Sequence, residues 1–254
     1  MTQVEFFPFN FSTGYGANNL QLKQKDGDTQ KLNYKGVLLS GEISLGVAFK
    51  EEEEKACQAR IDGIYITEEL CKEAKENGSI GRVKDGFKVI NARADAMFGQ
   101  GNDNYLRFAL DLGPVWNYDT EYYNSFRRVV GLGVAGRFES TRTSLPEGQN
   151  ISGHNWSIDI PLAFGLGVKN VFLQDKVNLM IQVSESPTSF KMRNEVSLSY
   201  RVYANYFNNY CQTVDIAAGN VYELGLIDHI DQKNLLWYGG VTIGLSGGSY
   251  PYPE

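Results

Sequence analysis

The 254-residue chain has two histidines, so chemistry that needs an imidazole is confined to two places. Ser152-Gly-His154 sets a hydroxyl two positions from one of them, and Asp228-His229-Ile-Asp231 flanks the other with carboxylates. These are the residue types of a hydrolytic triad. Such neighbours arise readily by chance in polar segments, and the expectation is that the protein is not an enzyme. Cys57, Cys71 and Cys211 have neither ligand spacing nor a nearby histidine, so no metal and no cofactor is expected. One disulfide with one cysteine left over is arithmetically open, linking Cys57 to Cys71 or Cys211 to either, and so are three free thiols. Asp26-Gly-Asp28 and Gly101-Asn-Asp-Asn104 could touch calcium, but Asp/Asn/Gly turns explain them without a ligand. The pairs Gly131/Gly133 and Gly165/Gly167 lie mid-strand with no following helix, which excludes a dinucleotide loop.

The remaining chemistry is charge, and its meaning depends on the elements that carry it. Trp156–Val168 shows the arrangement most plainly. Its even positions (Trp156, Ile158, Ile160, Leu162, Phe164, Leu166, Val168) are large and apolar, while its odd ones (Ser157, Asp159, Pro161, Ala163, Gly165, Gly167) are small or polar. A strict period of two means a strand with two unlike faces. The stretch is longer than a usual globular strand, and about 9–11 tilted residues suffice to cross a bilayer.

The same rhythm predicts strands over Glu5–Gly16, Lys35–Phe49, Phe87–Gly99, Tyr105–Trp116, Phe126–Glu139, Val177–Ser184, Lys191–Tyr206 and Leu235–Leu245. A further strand over Asp215–Gly225 is blurred by Ala217, Ala218 and Gly219. Ala17–Asn33, Asn117–Asn124, Ser140–Asn155 and Lys169–Lys176 read as loops. Lys50–Gly86 breaks the pattern with the acidic block Glu51–Glu54 and a short helix over Thr67–Gly78, N-capped by Thr67 and ended by Gly78. A connection that long is a candidate functional insertion.

On the small face of these strands lie Glu42, Arg93, Asp95, Arg107, Asp111, Arg127, Arg137, Glu139, Asp159, Arg193, Glu195 and Arg201. Every lysine falls instead in a predicted loop or near a strand end. A soluble sheet clothes its outer face with long charged side chains, lysine included. Mixed signs dominated by arginine on a glycine-rich face fit pairing inside a narrow lumen, where the guanidinium fork satisfies carboxylates. The opposite face, rich in Leu, Ile, Val and Phe, then meets lipid.

In strand length and dyad pattern over most of Glu5–Leu245, the chain resembles the bacterial outer-membrane β-barrels of the small, single-chain kind. That resemblance implies an all-β, antiparallel, up-and-down transmembrane β-barrel of about eight or ten strands, the even counts usual for the class. Residues 1–245 would form one domain, with 50–86 as its insertion carrying the short helix, and 246–254 a flexible tail. Trp116, Trp156 and Trp237 would contribute to an aromatic girdle. With ten strands, the insertion and the segment holding Cys211 share one rim. Barrels of this class end on an aromatic strand terminus, whereas here Gly244-Leu245-Ser246-Gly247-Gly248 leads into a tail with Tyr250 and Tyr252.

Bulk properties agree. A net charge of −6 argues against a nucleic-acid partner. A mean hydropathy of −0.32 does not oppose a membrane barrel, because alternating faces cancel. Met1–Phe7 has neither a basic n-region nor an apolar h-region, and the expectation is a mature chain with an added starting Met. The expected setting is the bacterial outer membrane, with the lipid bilayer as one partner and an envelope or surface protein met through 50–86 as another. The expected function is a structural or interaction barrel with a plugged lumen. A narrow channel for small solutes is the alternative, and a soluble lipocalin-like binding barrel the second alternative.

Overall fold

A computed structural model describes residues 2–23, 29–49, 82–99, 104–122, 126–144, 150–168, 170–184, 189–207, 210–227 and 230–247. They form β1 (Thr2–Lys23), β2 (Thr29–Phe49), β3 (Arg82–Gly99), β4 (Asn104–Tyr122), β5 (Phe126–Gly133), β6 (Ala135–Ser144), β7 (Asn150–Val168), β8 (Val171–Gln182), β9 (Ser189–Phe207), β10 (Tyr210–Ile227) and β11 (Ile230–Gly247). Each pairs antiparallel with its neighbour, and β1 pairs with β11 to close the ring. β5 and β6 are two halves of one barrel strand split at Val134, since β4 and β7 each pair with both. The barrel therefore has ten strands, which decides between the two expected counts.

The strands run further than their apolar patterns. β1 and β2 have 22 and 21 residues, and the ladder Ala17↔Lys35 to Lys23↔Thr29 occupies most of what reads as a polar loop. Asn117–Tyr122, Ser140–Ser144, Asn150–Asn155 and Val171–Lys176 are likewise strand rather than loop. β11 continues through Ser246 and Gly247, which the sequence assigns to the tail. The physical reason is common to all: only about 9–11 residues of a strand need an apolar outer face to cross lipid. Beyond that band, backbone pairing continues without the alternation that reveals it. The expected helix at Thr67–Gly78, most of 50–86, Cys57, Cys71, His229 and the tail from 248 lie outside the described residues.

Alternation sets the two faces. Phe11, Ile43, Phe108, Leu132, Phe164, Leu198, Ile216 and Ile243 point outward and are exposed, as are Trp156 and Trp237. Serines, glycines and charged residues point inward. The soluble, lipocalin-like reading needs the apolar face turned inward, and the structure turns it outward. Inside, a hydrophobic cluster of Leu20, Leu38, Met97, Tyr105, Val221 and Leu236 lies towards the end where β1 finishes, here called the distal end. The end where β1 begins and β11 finishes is the terminal end. β2 finishes and β3 begins there, and Cys211, at the start of β10, belongs to the same end.

Candidate functional site: a lumen crossed by ion pairs

Inward-facing charge from six strands meets in one network beneath the hydrophobic cluster. Arg107 on β4 donates to Glu139 on β6 at 2.6 Å and to Asp95 on β3 at 3.1 Å. Asp95 also accepts from Arg93 at 2.9 Å, from Arg193 on β9 at 3.4 Å and from the Ser40 hydroxyl at 2.6 Å. Arg93 reaches Glu195 on β9 at 2.7 Å, and Arg193 reaches Glu223 on β10 at 3.0 Å. Lys191 bridges Glu139 and Glu223, the latter at 2.7 Å. Arg137 on β6 extends the network to Asp159 at 2.6 Å and to Asp111 at 3.5 Å.

Two features of this geometry matter. First, β3 and β9 are not neighbours in the sheet, so Arg93–Glu195 and Arg193–Asp95 run across the lumen. Lys191–Glu139, from β9 to β6, does the same. Second, the groups are desolvated: the Arg107 side chain and Glu223 are fully buried, and Asp159 with them. A buried charge is tolerated only when paired and hydrogen-bonded, and arginine's planar fork supplies several bonds at once. Every cation here touches more than one carboxylate, which is why the cluster holds together as a unit.

The other inward charges form separate pairs nearer the terminal end. Glu42 faces Lys176 at 3.5 Å, Arg127 faces Asp119 at 3.2 Å, and Arg201 faces Asp215 at 3.0 Å. Arg127 also lies over the Phe172 ring at 4.2 Å from its centroid. Phe172 is seated by the small face of β7, because a Cβ at Gly165 would meet the ring at 2.5 Å. The glycines of the stretch Trp156–Val168 thus make room for an aromatic side chain. Between these pairs and the network lies a cavity of 370 Å³.

Glu42, Arg93, Asp95, Arg107, Asp111, Arg127, Arg137, Glu139, Asp159, Arg193, Glu195 and Arg201 thus all lie on the inner face, but only part of them meet in one cluster. Sequence reading missed Lys191 and Glu223, which complete it. Lys191 reads as a strand-end lysine, and so it is, but the network sits towards the distal end, level with the start of β9. Glu223 shares odd parity with Asp215 on β10, a signal that Ala217, Ala218 and Gly219 obscure.

His154 offers little for catalysis. It is exposed on the outer face of β7 and stacks on Phe138 at 6.1 Å between centroids. Its cross-strand partner is Ser140, with Phe138 and Arg142 on the diagonals, and no carboxylate is among them. Among the described residues no group of His, Cys, Asp and Glu could hold a metal ion.

An outer wall of exposed Leu, Ile, Val, Phe and Trp around a lumen of buried ion pairs inverts the layout of a water-soluble domain. The chain has the architecture of the small bacterial outer-membrane β-barrels. No family model matches it, and no curated protein does. Among solved structures, the β domain of the Bordetella autotransporter BrkA is 11% identical with a TM-score of 0.32, covering 93% of this chain and 98% of that one. Neisserial surface protein A is 14% identical with a TM-score of 0.30, covering 92% and 96%. The outer-membrane protease OmpT from Escherichia coli is 9% identical with a TM-score of 0.29, covering 95% and 96%. These likenesses assign no activity to the barrel.

Proposed function

We propose that the barrel resides in the bacterial outer membrane as a structural or interaction protein of the envelope, with its lumen closed and its partner met through the loops, 50–86 above all. The observation that carries this reading is the set of ion pairs spanning the lumen: Arg93–Glu195, Arg193–Asp95 and Lys191–Glu139. A solute would have to break several desolvated charge pairs to pass. A ten-strand barrel is also narrow, since wide water channels need about 16 strands.

The test is single-channel recording in a planar bilayer. The wild-type barrel gives no stable openings, whereas Glu139→Ala combined with Glu223→Ala, which removes both carboxylates from Lys191, gives discrete conductance steps. Reproducible wild-type openings would sink the plugged reading. They would favour the second one, a narrow channel for small solutes, whose support is the 370 Å³ cavity already present below the network.

A further inference from the structure

The outer surface carries most of its described cations on one sector of one rim. Lys31 and Lys35 on β2, Lys23 on β1 and Lys233 on β11 are exposed on the outward face at the distal end. The ladders fix how they sit together. Lys233 pairs with Gln21, and Gln21 pairs with Lys31, so two lysines stand in one row on either side of a glutamine. The next outward row holds Leu235, Asn19 and Asn33, and the one after it Trp237, Ala17 and Lys35. Sheet spacings put the Lys31 backbone about 10 Å from that of Lys233 and about 14 Å from that of Lys35. Flexible lysine stems close those gaps, and Gln21, Asn19 and Asn33 add amide donors between them.

Among the described residues none of the four lysines has an ion-pair partner. Lys233 instead lies over the Tyr222 ring, 5.8 Å from its centroid. Asp231 stands opposite Lys23 in the ladder, so the unbalanced charge rests on Lys31, Lys35 and Lys233. Elsewhere on the distal rim the described outward side chains carry one arginine, Arg142. Directly below the lysines, towards the middle of the barrel, the outward face turns apolar and aromatic with Trp237, Tyr15, Val37 and Val241. Gly239 pairs with Tyr15 on one side and Ala218 on the other, and a Cβ built on it meets no atom closer than 4.0 Å. A shallow depression therefore opens beside Trp237 and Tyr15. Trp and Tyr settle at the level of lipid headgroups, and lysine stems lie along the apolar wall while their ammonium groups reach the polar layer.

We propose that the distal sector of β11, β1 and β2 is a binding site for a membrane lipid whose headgroup carries a phosphate monoester. The phosphate lies over Gln21 between Lys31 and Lys233, with Lys35 reaching it from below, and an acyl chain fills the depression beside Trp237 and Tyr15. Three cations without carboxylates call for more than one negative charge, and a phosphate monoester supplies close to two at neutral pH together with three acceptor oxygens. Anionic headgroups are the groups that meet lysine at this depth of a bilayer. The inference rests on the membrane reading of the outer wall.

The experiment reads tryptophan quenching in phosphatidylcholine bilayers that contain a lipid with brominated chains, either phosphatidic acid or phosphatidylcholine in equal amount. Trp116→Phe with Trp156→Phe in the full chain leaves Trp237 as the reporter. Brominated phosphatidic acid is expected to quench Trp237 with about fivefold preference over brominated phosphatidylcholine. Lys31→Gln, Lys35→Gln and Lys233→Gln together remove the preference, each alone lowers it part-way, and arginine at the same three positions keeps it. With Trp116→Phe and Trp237→Phe instead, Trp156 on β7 reports from four strands away and shows little preference. Equal quenching of Trp237 by the two lipids, a preference untouched by the glutamine changes, or the same preference at Trp156 would overturn the site. An equal preference for brominated phosphatidylglycerol, whose phosphodiester bears one charge, would overturn the monoester headgroup. Quenching by neither lipid would sink the membrane reading and the site with it, whereas equal quenching by both leaves the membrane reading standing, so the two failures are told apart.

Discussion

The wall running from β8 through β11 to β1 and the wall running from β3 to β7 are built from the same alternation but differ in how they are stitched. In the first, β8–β9, β10–β11 and β11–β1 pair without interruption, and β9–β10 has one bulge, at Val214/Asp215. In the second, the three successive ladders from β3 to β7 are interrupted on a common line at Val89, Pro114, Val134 and Pro161, while β7 stays paired with β8 there. Backbone polar groups facing lipid must be satisfied within the protein. At the interruption a Val134 N–H to Pro114 carbonyl bond supplies part of that pairing, and the wall there backs onto the cavity, which both walls line. The lumen shows the matching contrast: a dense ion-pair network towards the distal end, and open space beneath it.

Four measurements break or sharpen the comparison. The largest effect belongs to the network. Glu139→Gln leaves Arg107, Arg137 and Lys191 short of a shared carboxylate and is expected to cost about 3–5 kcal/mol in urea unfolding from a bilayer or micelle. Next comes the outer wall. Ile216→Arg, on the regular side, is expected to cost about 2–4 kcal/mol if that site lies near the bilayer midplane. Val134→Arg starts from the same exposure, 55%, but lies on the break and is expected to cost less, since its guanidinium can reach the cavity. Equal costs would mean that the break makes no difference to the wall. A third, smaller effect lies within the lumen. Gly165→Val pushes on the Phe172 ring and is expected to cost about 1–3 kcal/mol, read as a lower urea midpoint. Smallest of all, His154→Ala at the outer face is expected to stay within about 0.5 kcal/mol of wild type. A large loss there would call for a role that its surroundings do not suggest.

The inner position of the charges could be read from the sequence because parity along a strand is local: Glu42, Arg107 and Arg193 each share a face with small neighbours such as Ser40 and Ser44, Ala109 and Gly113, and Ser197 and Ser199. Their partners could not be read. Arg93 and Glu195 are 102 positions apart, and nothing along the chain links them. The strand ends failed for a different reason. Asn18 and Leu20 point inward in β1, but outside the apolar band their outward neighbours Ala17 and Asn19 need not be greasy, so the contrast that reveals a strand is lost.

The sequence by itself determined that strands with one apolar and one small, charged face would dominate, because a period of two fixes which side chains share a face whatever the strand pairs with. The tertiary structure alone decided that there are ten strands, that Lys191 and Glu223 complete the network, and that Pro114 and Pro161 fall on one line. All three depend on the register between strands and on closure of the ring. Those are relations between distant segments, and alternation within a segment does not encode them.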